Sequence, residues 1–297
     1  MRIGIHTSKS GSFENAAVKA KELGANTFQI FSSSPRTWKT GTPDPADVRR
    51  LESARAKHDL TPLVIHDSYL INLASCEPEI RRQSVAGFRD ELERAIAIGA
   101  EYLVMHPGHC KGQPLEQGMM NVVEGLAEAA QGLASGRLTI LLENTVGAGG
   151  QIGSRFEELA VIREFAGPRL GLRIGYCLDT CHCFASGHYN VATTDGLAHT
   201  VREIERVLGI EHVPVFHTND SKGAAGSRLD RHANIGEGYI GTAGFERILN
   251  HPRLRSKAFI LETPVDVPGD DKRNVDALKK LCRPPRARSG NKRSVVL

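Results

Sequence analysis

Histidines and carboxylates recur at the ends of apolar runs along this chain, and they are densest at 216–241, F-H-T-N-D-S-K-G-A-A-G-S-R-L-D-R-H-A-N-I-G-E-G-Y-I-G. His217 closes a short apolar run there, and Asp230 and His232 stand two residues apart in a polar, glycine-rich loop. Side chains at i and i+2 of such a loop can converge on one cation. A lone D-x-H occurs by chance in many proteins, so its meaning depends on its company. His66 ends the run at 62–66, His106 the run at 102–106 and Glu143 the run at 138–143. Asp179 ends 174–179, with His182 three residues on, and Glu262 ends 258–262. The candidates are therefore five imidazoles and four carboxylates. Taken singly, a strand-end His is more often a hydrogen-bonded cap than a ligand, and a strand-end Asp or Glu often caps the next helix. Together they pose an electrostatic problem. An unpaired ion in a partly buried site costs several kcal/mol, and no Lys or Arg stands at these run ends. Divalent cations would supply the missing charge. Mixed His/carboxylate ligation suits Zn2+, and also manganese or iron. Nine ligands are too many for one ion and too few for four tetrahedral ones. With bridging carboxylates they fit two or three ions with positions open to water or substrate. Paired ions ~3.5–4 Å apart generate a hydroxide nucleophile and stabilise both oxygens of a phosphoryl transfer, which gives a reaction class but no substrate.

The elements that must position these residues are legible in the same runs. Apolar stretches at 3–6, 27–31, 62–66, 102–106, 138–143, 174–179, 214–217 and 258–262 have the near-continuous character of parallel strands buried on both faces. Segments with helical spacing lie between them, at 12–23, 45–58, 78–98, 115–133, 156–165, 195–208, 242–249 and 273–281. Eight strand-then-helix units, roughly 40 residues apart after the first, predict a single (β/α)8 barrel over 1–282. Strand ends meet at one face of such a barrel, and active sites are built there.

Composition narrows the class. With 297 residues, 40% hydrophobic, and 30 glycines, the chain reads as an ordinary globular enzyme. No window approaches the ~18 consecutive apolar residues of a membrane span, and residues 1–6 enter a strand at once, so a cytoplasmic protein with no membrane partner is expected. The net charge of +4 is local. Five of the 38 Lys and Arg lie in 283–297, which has no Asp or Glu, and the remaining 33 face 34 acidic residues. That segment reads as a basic, disordered tail, able at most to attract phosphates weakly. Cys177, Cys181 and Cys183 bracket Asp179 and His182. A zinc–thiolate site is conceivable there, but without a C-x-x-C pair packing around a strand end is the plainer reading.

The chain resembles the endonuclease IV family of apurinic/apyrimidinic endonucleases, tri-zinc TIM-barrel enzymes of base-excision repair. The resemblance runs from residue 1 to about 282. It rests on H-D-S-Y-L-I-N-L at 66–73, L-E-N-T at 142–145, C-L-D-T-C-H at 177–182 and G-S-R-L-D-R-H-A-N-I-G-E-G at 226–238, with all nine ligand types in order. It implies one Zn2+ held by His66, His106 and Glu143. A second would share Glu143 and take Asp179, His217 and Glu262, and a third would take His182, Asp230 and His232, with Mn2+ an alternative at one site. It also implies that a hydroxide between the first two ions attacks the phosphorus 5′ to an abasic deoxyribose, leaving a 3′-hydroxyl and a 5′-deoxyribose phosphate, and that blocked 3′ ends are trimmed. Glu143 and Glu262 would be the catalytic carboxylates. The partner implied is double-stranded DNA with abasic or 3′-blocked sites, bound by a monomer. Arg36, in S-P-R-T-W at 34–38, and Tyr69 and Leu70 match the family's wedges into DNA, which unstack and kink the duplex. From the residues alone, Tyr69 and Leu70 also read as helix-start packing and Trp38 as loop packing. The chain departs from the family at His109-Cys110, where Ser-His is usual, and around His188. His6, ending the first strand, would lie behind the ligands. The competing reading is a metal-dependent sugar isomerase or epimerase on the same barrel, which needs one metal site and no third group.

Overall fold

Side-chain alternation along the strands decides what faces the barrel axis. The computed structural model describes residues 1–38, 41–134 and 136–284. The elements run β1 (Arg2–His6), α1 (Phe13–Glu22), β2 (Thr27–Phe31), α2 (Pro45–His58), β3 (Leu63–His66), α3 (Pro78–Ile98), β4 (Tyr102–Met105), α4 (Leu115–Ala129), β5 (Thr139–Glu143), α5 (Phe156–Ala166), β6 (Arg173–Asp179), α6 (Thr180–Ser186), α7 (Thr194–Glu203), β7 (Val215–His217), β8 (Asp220–Ser221), β9 (His232–Ala233), α8 (Gly241–Asn250), β10 (Ala258–Leu261) and α9 (Asp270–Leu281). Among the described residues, β1 to β7 and β10 close a parallel barrel in chain order, with β10 pairing to both β7 and β1. The fold is the (β/α)8 TIM barrel expected from the spacing. Among the described residues, no helix is long and apolar enough to cross a membrane.

Successive strand residues point to opposite faces. Val64, Val104, Leu141, Cys177, Val215, Ala258 and Ile260 form an apolar plug inside the barrel. Their neighbours Ile65, Leu103, Leu142, Leu178, Phe216 and Phe259 pack outward under the helices, in the larger core. Two residues beyond the plug, the inward positions are His66, His106, Glu143, Asp179, His217 and Glu262. The apolar layer thus forms a dry floor under the strand-end side chains. Level with Ile260 of the plug, Gly4 has no room for a side chain, because a Cβ would stand 2.3 Å from the Thr27 carbonyl oxygen of the neighbouring strand.

Local chemistry sets the helix ends. Ser12 caps α1 through Asn15 N, and Thr193 caps α7 through Gly196 N. Asp44 with Pro45 starts α2, and Gly99 ends α3 in the left-handed conformation. Two helical segments are shorter than their periodicity suggests. The helix expected over 115–133 ends at Ala129, and that over 195–208 ends at Glu203, passing into a wider π-type turn over Ile204–Leu208. Arg283, at the start of the basic tail, bonds through its backbone N to Asn250 Oδ1 at 2.7 Å; residues 285–297 of that tail lie outside the described residues.

Candidate metal centre

Strand β6 and helix α6 show how the backbone aims the ligands. Asp179 ends β6 and is also the N-cap of α6, its Oδ1 accepting from His182 N at 2.9 Å. That cap turns the chain at once, so His182 lands on the first helical turn facing the axis. The other oxygen, Asp179 Oδ2, accepts from Asn219 Nδ2 at 2.6 Å, and Asn144 Oδ1 accepts from the Asp179 backbone N at 2.7 Å. The glycine-rich loop after β7 is likewise tied down. β8 and β9 form a two-residue antiparallel ladder, Ser221 opposite His232. The buried Asp220 carboxylate accepts from the backbone N of Ser221, Gly236, Gly238, Ile240 and Gly241. Asp230 and His232 are therefore carried on a braced hairpin.

The structure brings all nine side chains together in three groups, each with ligand atoms within 4.8 Å of one another: His66, His106 and Glu143; Glu143, Asp179, His217 and Glu262; His182, Asp230 and His232. Glu143 is shared by the first two and fully buried. Its Oε2 lies 3.3 Å from His66 Nε2 and 3.2 Å from His106 Nε2, and its Oε1 lies 2.7 Å from His217 Nδ1. Glu262 Oε2 stands 3.3 Å from the same His217 nitrogen. In the third group His182 Nε2 is 3.2 Å from Asp230 Oδ1, and His232 Nε2 is 3.7 Å from it.

Hydrogen bonds behind the rings decide which nitrogens face inward. A carbonyl oxygen can only accept, so the Nδ1 of His66, His182 and His232 must donate to Asp67 O (3.0 Å), Asn144 O (2.8 Å) and Glu262 O (3.1 Å). Each Nε2 lone pair is left facing the group, the tautomer control common behind metal-bound histidines. An Nε2 lone pair aimed at a carboxylate oxygen about 3 Å away is repulsive unless positive charge stands between. Protons are the only substitute the side chains have. Burial alone would depress His66, His182 and His217, yet the groups around them, carboxylates and for His217 first Cys177, win and raise all three, His182 to about 10. Burial likewise pushes Glu143 and Glu262 up, but the facing histidines, His217 foremost, hold both below the ordinary carboxylate range. His232 Nε2 is buried with no hydrogen-bond partner among the described residues. Aligned lone pairs, charge that only imidazole compensates and an orphaned buried nitrogen are what divalent cations would satisfy. The residues fit metal binding.

Two thiols approach the same atoms, Cys177 beside Glu143 and His217 and Cys181 beside Asp179 and His232. Burial pushes them up to about 11 and about 12. Without a metal these buried thiols favour the protonated form.

The cleft above the groups holds about 360 Å3 and is lined by His6, Phe31, Tyr69, Thr263 and Val265 besides ligands. Tyr69 is 67% exposed, its ring edge-on to Phe31 at 5.3 Å. Leu70, half-buried, lines an adjoining cavity with Asn72 and His109. Arg36 is exposed in the loop after β2, and Ser68 Oγ donates to Pro35 O at 2.9 Å, joining that loop to the one bearing Tyr69. Trp38 is 37% exposed and its ring lies over Gly87 of α3, where a Cβ would come within 3.1 Å. His109 is held by Asn72 and is in none of the three groups, while Cys110 is buried against Gly150 O. His188, beyond the end of α6, is also outside them. His6 Nδ1 is 3.9 Å from Glu262 Oε1, behind the ligands.

The family described as xylose isomerase-like TIM barrel matches residues 17–282. A curated relative named probable endonuclease 4, from Solibacter usitatus (strain Ellin6076), is 56% identical over 282 residues, covering 95% of this chain and 97% of its own. The chain belongs to the endonuclease IV family. The crystal structure of endonuclease IV from Thermus thermophilus matches with a TM-score of 0.82 at 39% identity, covering 95% of this chain and 98% of that one. A D-tagatose 3-epimerase-like protein matches with a TM-score of 0.67 at 21% identity, covering 95% and 97%, which shows a common fold alone.

Three polar residues around the ligands of this endonuclease IV family member were not singled out from sequence: Gln29, Asn144 and Asn219. The signal for Gln29 is its inward phase on β2, one layer with the ligands. For Asn219 it is the same phase two residues after His217.

Proposed function

We propose that this chain is a metal-dependent DNA-repair phosphodiesterase. It cleaves duplex DNA 5′ to abasic sites, leaving a 3′-hydroxyl and a 5′-deoxyribose phosphate, and clears blocked 3′ ends. The observation that carries this reading is the set of nine ligand atoms in three adjoining groups, two of them sharing Glu143. The bound ions, zinc in three places with Mn2+ an alternative at one, would polarise phosphoryl oxygens and lower the pKa of water. The protein supplies the rest. His66, His106 and Glu143 would hold one ion, Glu143, Asp179, His217 and Glu262 the next, and His182, Asp230 and His232 the third. The buried carboxylate of Glu143 belongs to both of the first two groups and would serve as a ligand in each. Glu262, at the cleft wall, would help position the attacking water. Tyr69 and Leu70, with Arg36 on the tethered loop beside them, enter the minor groove and hold the sugar out of the stack, which costs least where the base is missing. One chain supplies every ligand, so a monomer is sufficient. The third group favours this reading over a sugar isomerase, which leaves it without a task.

The test is nicking of a duplex with one abasic site by metal-replete protein, with sugar isomerisation under Mn2+ as the rival assay. An intact duplex from folded, metal-loaded protein would overturn the proposal.

A further inference from the structure

Four of the five imidazoles have a partner behind the ring, and one of these partners is unlike the others. His66, His182 and His232 are locked by backbone carbonyls through Nδ1. His217 is turned round. Its Nδ1 faces Glu143 and Glu262, and its Nε2 lies 2.8 Å from a side chain, Gln29 Oε1. The same amide reaches further, with Gln29 Nε2 donating to Glu262 Oε1 at 2.6 Å and to His6 Nδ1 at 3.1 Å. Gln29 is fully buried on β2.

The orientation of this amide is fixed by its neighbours. Reversed, its NH2 would meet the Nε2–H of His217 and its oxygen would meet a carboxylate oxygen. As placed, every group of the amide is used, since the oxygen accepts from His217 and the two N–H donors serve Glu262 and His6. Two consequences follow for the shared group. His217 must carry its proton on Nε2, so Nδ1 is its only lone pair toward an ion. Glu262 has Oε1 occupied by a donor, so Oε2 is the oxygen it presents, and its ionised form is favoured.

We infer that Gln29 is a positioning residue for the Glu143–Asp179–His217–Glu262 group, selecting the ligating atom of two of its members with one amide. This deepens the metal reading and rests on it. A backbone carbonyl cannot be removed by substitution, but this lock can.

Gln29→Met keeps length and volume and removes both donor and acceptor, while Gln29→Glu keeps the acceptor for His217 and removes the donor to Glu262. Each variant and the parent, loaded with Zn2+ alone, is compared in four measurements: far-UV circular dichroism, metal retained against a chelator of known affinity, 15N spectra of histidine-labelled protein, and nicking of an abasic duplex. The Met variant is expected to keep its dichroism and to lose the His217 Nε2–H signature. It should release one Zn2+ about 10–100-fold more readily, the usual penalty for removing an outer partner. Its kcat should fall with little change in KM. The Glu variant should keep the His217 signature yet bind Zn2+ less tightly, because two carboxylates now face each other. The inference is overturned if the Met variant matches the parent in metal retention and His217 signal, or if both variants lose their dichroism, which would make Gln29 a folding residue. A parent that holds no Zn2+ and leaves the duplex intact overturns the functional reading itself, and this inference with it. A loaded, active parent matched by the Met variant overturns this inference alone.

Discussion

The two mouths of the barrel handle charge in opposite ways. The mouth at the strand starts opens on the larger cavity, about 640 Å3, lined by Arg163, Glu164, Arg173, Glu211 and His212 among others. Glu101 and Asp59 at this end meet guanidinium groups, while Glu211 lies 3.7 Å from His212. Arg55 is 2.6 Å from Glu101, Arg137 is 3.5 Å from the same carboxylate, and Arg2 is 2.9 Å from Asp59. At the mouth where the strands end, every ion-pair distance recorded among the described residues for Glu143, Asp179, Asp230 and Glu262 runs to a histidine. Arginine is always charged, so the Glu101 and Asp59 pairs at the first mouth are self-compensated and need nothing from solution. Histidine is a conditional cation and a good ligand, so the second is compensated only by protons or metal. Cavity size therefore misleads here, and the kind of counter-charge marks the chemistry. This accords with the general division of such barrels into a stabilising end and a reactive end.

The largest effect should come from removing the carboxylate shared by two groups. Glu143→Ala takes a ligand from both and is expected to cut abasic-site nicking at least about 1,000-fold, beyond the 10–100-fold typical of an outer-partner change. Metal content, measured by elemental analysis, should fall with it. Nicking within tenfold of the parent would break the comparison at its centre. Prolonged chelation should abolish nicking and also lower the melting temperature, since an ion present at 1,000 times its Kd stabilises by roughly 4 kcal/mol. Re-addition of Zn2+ should restore both.

Proton dependence separates the two mouths more finely. In metal-free protein His66, His182 and His217 have raised pKa values, so their pairing contributes fully below the ordinary histidine range and is lost as pH rises through the folded values, about 10 for His182. Glu143 and Glu262 are held low, so their contribution is present above the ordinary carboxylate range and is lost as pH falls through their folded values. Metal-free protein should thus lose stability steadily from about pH 7 to pH 10, while metal-loaded protein, whose ligands have already shed their protons, stays flatter. Zn2+ affinity should rise over the same interval, because protons and metal compete for the same nitrogens. Identical melting curves for the two forms across that range would contradict the charge argument.

How much of this could be read from sequence depended on how local each signal was. A His or Glu closing an apolar run is a local pattern, and ring closure alone carries six such ends to one mouth, so the barrel and the nine candidate ligands were legible. Gln29 was not. It lies within T-F-Q-I-F at 27–31, which reads as one apolar run, and its partners Glu262 and His217 are 233 and 188 residues away. Helix α6 was also missed, because T-C-H-C-F-A-S has little helical preference of its own. It forms because Asp179 caps it, a role hidden behind that residue's place at a strand end. The β8–β9 ladder spans two residues per strand, too short for any alternation to register.

DNA contacts should be separable from metal. Tyr69 is exposed over the cleft and lies in none of the three groups. Tyr69→Ala is expected to weaken abasic-duplex binding by about 1–3 kcal/mol, the range for lost base–aromatic stacking, and to leave metal content unchanged. A fall in bound Zn2+ would place this ring in the metal centre rather than in DNA engagement.

The smallest effect on activity is expected from the self-compensated Glu101 pairs at the first mouth. Glu101 Oε2 accepts from Arg55 and, at 2.7 Å, from the backbone N of Leu63, the first residue of β3. Glu101→Ala frees that buried N–H and should cost about 1–3 kcal/mol of stability. Strand β3 ends in His66, so the substitution pulls on the far end of a ligand-bearing strand. Between them, Val64, Ile65 and His66 are laddered to β2 on one side and β4 on the other, and Val64 is locked in the apolar plug. A displacement at Leu63 has to shift that plug before it reaches the imidazole. Nicking by Glu101→Ala should therefore stay within about twofold of the parent below its lowered melting temperature, since a close-packed layer resists small shifts. A tenfold loss with full metal content would mean that strain does travel along β3, and the two mouths would then have to be treated as one coupled unit.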